Sequence, residues 1–85
     1  MPGGWTYQAD VSPYNAYIFY SAIGESDDFT YYPVAVATQI VNGTNYKFIA
    51  IVEPKNTNMN SFFALVEIYK PIQGNAYVTK VNVIE

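Results

Sequence analysis

The chain has 85 residues, 51% of them hydrophobic, 18% aromatic and 13% charged, which bounds it to one small folded domain over residues 1–85 and excludes a disordered tail. It holds no cysteine and no histidine, so a disulfide framework, a thiolate zinc site, a cysteine nucleophile and the commonest general base are all excluded. Four lysines without arginine, against seven acidic residues, give a net charge of −3 that argues against a nucleic-acid partner, and no run approaches the roughly 20 apolar residues of a membrane helix.

Residues 1–4 read as a flexible lead, and Trp5-Thr6-Tyr7-Gln8 as a short extended segment. Ser12-Pro13 marks a helix start, because serine caps a first turn and proline is tolerated at its first position. The helix then runs to Ile23, with Tyr14, Ile18 and Ala22 on one stripe, Phe19 and Ile23 beside it, and Gly24 as the stop. Glu25-Ser26-Asp27-Asp28 is a polar connection. Phe29 to Val41 is rich in Tyr, Val, Thr and Ile and reads as a strand. Asn42-Gly43 is a tight-turn pair, since both residues tolerate positive φ. Thr44 to Glu53 reads as a second strand with Tyr46, Phe48, Ala50 and Val52 on one face, and Pro54 to Asn60 as a loop. Ser61 to Lys70 is a third strand with Phe62, Ala64, Val66 and Ile68 on one face. Pro71 to Asn75 turns, and Tyr77 to Ile84 closes with alternating side chains.

Strands joined by hairpin-length turns imply an antiparallel meander. One helix must cover one face of it, which makes an α+β domain with an antiparallel sheet of four to five strands around a single helix. Several weaker signals have plain structural readings. Asn42-Gly43-Thr44 fits a glycan acceptor by chance. Glu25, Asp27 and Asp28 lack the ligand alternation of a calcium loop. Glu53 and Glu67 lack the facing carboxylate that glycosidase chemistry needs. Tyr31-Tyr32 and the other aromatics read as core and sheet packing.

The informative pattern is Gln39-Ile40-Val41-Asn42-Gly43, extended by Thr44-Asn45-Tyr46, between two strand-like runs. It fits Q-x-V-x-G, and the chain resembles the cystatin family of cysteine-protease inhibitors. The resemblance covers most of the length, in pattern only across the helix. Pro2-Gly3-Gly4 resembles the glycine-bearing N-terminal trunk of that family. Residues 39–43 match its first inhibitory hairpin. Lys70-Pro71-Ile72 falls where its second hairpin often carries Pro-Trp, and only the proline agrees. The lack of cysteine is similar to the stefin branch.

The resemblance implies a wedge whose trunk (Gly3, Gly4), first hairpin (Gln39, Ile40, Val41, Asn42, Gly43) and second hairpin (Pro71, Ile72) enter the cleft of a papain-like cysteine protease. It implies reversible, competitive inhibition by occlusion, no enzymatic activity and no cofactor or metal. In that setting the glycines keep side chains from holding the backbone away from the partner, Val41 presents apolar surface and Gln39 anchors the hairpin base through its amide. Ile72 in place of tryptophan removes a large anchor from the second hairpin. The expected setting is cytoplasmic, with secretion after loss of a leader as the alternative. The expected state is a monomer, with a domain-swapped dimer as the alternative. A non-inhibitory binding module or scaffold that keeps only the fold is the competing functional reading.

Overall fold

The computed structural model describes residues 3–84; Met1 and Pro2 of the predicted lead, and Glu85, lie outside the described residues. The elements are β1 (Trp5–Gln8), α1 (Pro13–Ile23), β2 (Phe29–Val41), β3 (Gly43–Pro54), β4 (Phe62–Lys70) and β5 (Tyr77–Ile84). The strands form a single antiparallel sheet in the order β1-β2-β3-β4-β5, the five-stranded form of the α+β fold expected from the sequence.

The helix begins as the Ser12-Pro13 pair dictates. Ser12 Oγ accepts a hydrogen bond from the Asn15 amide at 3.1 Å, and Pro13 occupies the first turn, where an amide would have no partner. The helix ends at Gly24, whose amide donates back to the Tyr20 carbonyl at 2.9 Å and whose φ of 68° turns the chain out of the helix. Between these caps, Ile18 and Phe19 are fully buried and Ala22 and Ile23 pack beside them. Tyr14 departs from the predicted stripe: it is 59% exposed, and the buried face centres on Ile18 and Phe19. At the first turn, its hydroxyl can reach water at the end of the sheet.

Strict alternation builds the facing surface. Tyr46, Phe48, Ala50 and Val52 of β3 are all buried, as are Ala64, Val66 and Ile68 of β4. The register sets Phe48 beside Val66 and Ala50 beside Ala64. The alanine pair leaves room for the helix, and Phe19 meets Phe48 edge-on at 5.0 Å. Two bulges bend the sheet. One lies at Pro33–Ala35 in β2, where proline has no amide for the ladder, and one lies opposite Glu67–Ile68, where the Thr79 hydroxyl donates to the Glu67 carbonyl at 3.1 Å. β5 alternates in sequence; the helix lies against it and Val78 joins the core, whereas Val81 and Val83 further along stay largely exposed.

The core thus rests on two helical side chains in one aromatic–aliphatic socket. Phe19→Ala should lower unfolding free energy by about 3–5 kcal/mol, a large share of the roughly 5–15 kcal/mol a small domain has. Tyr17→Ala, on the outward face, should change it by no more than about 0.5 kcal/mol. Urea unfolding followed by circular dichroism distinguishes the two; equal losses would contradict this packing.

Candidate functional site at the hairpin end of the sheet

In an antiparallel meander, alternate turns share an end. The thirteen residues of β2, at about 3.3 Å each, span roughly 43 Å, close to the molecule's 45 Å length. The β2–β3 turn and the β4–β5 turn therefore lie at one end of the long axis, and the start of β1, paired with the end of β2, lies there too. This parity brings Gly3, Gly4, residues 39–43 and residues 71–72 together, although up to 69 positions of sequence separate them.

Hydrogen bonds join the lead to the first hairpin. The Gly3 amide donates to the Ile40 carbonyl at 3.1 Å, and Gln39 Nε2 donates to the Gly3 carbonyl at 2.7 Å. Asn45 Nδ2 in turn donates to Gln39 Oε1 at 2.9 Å, directly across the β2–β3 pair. Gln39 therefore anchors the hairpin base and also fastens the lead. Trp5 is on the sheet face away from the helix, 42% exposed, with the Lys47 ammonium 4.5 Å from its ring centroid.

The first hairpin is tighter than the expected two-residue turn. Val41 pairs with Gly43, leaving Asn42 alone at the tip, and of the two only Gly43 has positive φ, at 106°. Glycine is required here on two counts. That φ disfavours any side chain, and a Cβ on residue 43 would lie 2.7 Å from the Lys70 carbonyl oxygen and 2.9 Å from Tyr69 Cζ. In the free protein, the close neighbour of Gly43 is this chain's own β4. The Tyr69 hydroxyl donates to the Asn42 carbonyl, a contact that sequence spacing does not reveal.

Ile40 and Val41 project from this tip, 69% and 41% exposed. In the second turn, Ile72 is 71% exposed beside a half-buried Pro71. Gly74, at φ 128°, turns the chain back, and Ala76 is buried behind it. Lys70 Nζ donates to the Pro71 carbonyl at 2.9 Å. Between the two hairpins lies an open cleft of about 340 Å³ lined by Ile40, Thr44, Tyr46, Pro71, Ile72 and Tyr14. Tyr14 was missed as a surface residue because its spacing matched the buried stripe; its place at the helix start brings it to this end. Burial raises the Tyr46 hydroxyl pKa above its ordinary value of 10.0. Neighbouring Tyr14 adds to the rise, and a hydrogen bond with Thr44 opposes it.

No family model and no curated protein sequence matches the chain. Among solved structures, the crystal structure of a salivary cystatin from the soft tick Ornithodoros moubata is similar over 100% of both chains, with a TM-score of 0.72 and 21% identity. The chain therefore has the cystatin fold. Among the described residues, no helix is long and apolar enough to cross a membrane.

Gln39→Ala should free the lead while the hairpin stays formed. Backbone 15N order parameters at Gly3 and Gly4 should fall below about 0.6, with those of residues 46–52 unchanged; an ordered lead in the variant would refute the anchoring role. The raised Tyr46 pKa makes a second expectation. The folded state holds this proton more tightly than the unfolded chain, so its contribution is complete below pH 10.0 and is lost as pH rises through the folded-state value. Tyr46→Phe should flatten the alkaline fall in stability, measured by urea titrations at several pH values; an unchanged slope would show that other tyrosines cause it.

Proposed function

We propose that the protein is a reversible, competitive inhibitor of papain-like cysteine proteases, acting as a single domain over residues 1–85. The supporting observation is the shared end of the sheet. There, the glycine-bearing lead, the Gln39–Gly43 hairpin and the Pro71-Ile72 turn form one narrow edge with exposed Ile40, Val41 and Ile72. A ridge of two hairpins on a sheet suits a groove, and apolar side chains at its crest lose water on entering one. The hairpin is held before binding, so little ordering entropy opposes association. The contacts lie on Gly3, Gly4, Gln39, Ile40, Val41, Asn42, Gly43, Pro71 and Ile72. Inhibition is by occlusion, with no bond made or broken. No enzymatic activity, cofactor, nucleic acid or membrane enters this reading, and the protein acts as a monomer.

The cystatin fold supports the inhibitory reading, and the stefin branch is the one that the cysteine-free composition favours. The expected compartment is cytoplasmic. The neighbour's salivary origin makes secretion the alternative. Ile72 favours a second reading, a binding module that keeps the fold and not the inhibition, because an isoleucine covers less of a partner than the tryptophan common there in the family.

Gly43→Glu is a poor test, since any side chain there strikes Tyr69 and Lys70. Ile40→Asp leaves the hairpin intact and puts a charge on the crest. The unmutated domain should inhibit papain hydrolysis of a peptide substrate at submicromolar concentration. Ile40→Asp should raise the inhibition constant about 100-fold, or roughly 2.7 kcal/mol. Full papain activity at micromolar excess of the unmutated domain would leave the binding module as the surviving reading.

A further inference from the structure

We infer that Tyr69 is a positioning residue that holds the first hairpin bent, and that Gly43 is the notch that receives its phenol. The hairpin tip outruns its neighbours. β1 pairs with β2 only as far as Gln39, and β4 pairs with β3 only from Thr44, so Ile40 to Gly43 project as a two-stranded tongue. Such a tongue has little stability of its own. On the lead side, the Gly3 amide reaches it at Ile40. On the β4 side, Tyr69 reaches it through its side chain.

The register explains the reach. Tyr69 pairs with Asn45 on one side and with Tyr77 on the other, all on the sheet face away from the helix. The Tyr77 ring stands edge-on behind it at 5.8 Å and limits its freedom to swing away. So directed, the phenol lies across Gly43, with its oxygen 2.5 Å and its Cζ 2.9 Å from where a Cβ would sit. Its hydroxyl donates to the carbonyl of Asn42, the turn residue with no strand partner. A ring that fills the space over a strand glycine shields the adjoining backbone and fixes its twist. The glycine of the hairpin motif and a tyrosine 26 positions later are thus two halves of one interlock.

The role rests on geometry in the free protein, so it is read first without any protease. Tyr69→Phe keeps the ring in the notch and loses the hydroxyl; Tyr69→Leu loses both. Amide hydrogen exchange at residues 42–44 should quicken about threefold in the first variant and thirtyfold or so in the second. The core amides of Phe48 and Val66 should stay within about twofold of their original rates. Partial rescue by phenylalanine separates ring from hydroxyl. Unchanged exchange at 42–44 in Tyr69→Leu would overturn the inference, whatever papain does. If Tyr69→Leu loosens the core amides as well, Tyr69→Phe decides: quickened exchange confined to 42–44 supports the interlock, and none overturns it. Where the inhibitory reading holds, Tyr69→Leu should also slow association with papain about tenfold, because fewer molecules carry the bent hairpin. A silent papain assay with a quickened hairpin would count against inhibition and leave the interlock standing.

Discussion

Everything at the candidate site depends on strand parity. An antiparallel meander returns its chain to the same end every second turn, so the lead and two hairpins arrive at one end, where hydrogen bonds then fasten the lead to the first hairpin. What must be secured is the sheet itself, and that is done by burying Ile18 and Phe19 against alternate residues of β3 and β4. The helix grips the centre of the sheet and leaves its end projecting. A stiff middle and a projecting end are the mechanical requirements of a ridge that enters a groove.

The division of labour shows in where side chains are spent. Phe48, Ala50, Ala64 and Val66 are buried and serve the helix, whereas Ile40 and Ile72 are exposed at the crest and contribute nothing to the core. Exposed isoleucines of this kind are tolerated singly on any surface. Two of them, on the two turns at one end, flank a cleft that also holds Tyr14 and the polar Thr44 and Lys70. The short helix leaves Val81 and Val83 of β5 exposed, while its first turn reaches the hairpin end through Tyr14.

The hairpin motif has two kinds of residue in it. Gln39 and Gly43 face inward in their function: one binds the lead and Asn45, the other yields space to Tyr69 and Lys70. Ile40, Val41 and Asn42 present exposed side chains. A motif can thus hold its shape through some positions and present its surface through others. Changes at the two sets are expected to fail for different reasons, folding of the tip in one and loss of contact in the other.

Much of this was legible in one dimension. Ser12-Pro13 and Gly24 bound the helix because capping is local chemistry, and β3 showed its buried face because a period of two needs only neighbouring residues. The bounds of β1, β2 and β5 came from the same local signals, whereas the three site segments and their gathering into one wedge were implied by the family resemblance. Tyr14 was misplaced because helical spacing says which residues share a stripe but not how far the sheet extends beneath it. The turn at Asn42 and the crowding at Gly43 depended on Tyr69, a residue on another strand whose proximity arises only when β3 and β4 pair. Sequence alone determined which elements form and which faces they bury, since those are decided within a few residues. Only the tertiary structure decided which groups Gly43 and Gln39 meet, because their partners are set by strand register and not by spacing.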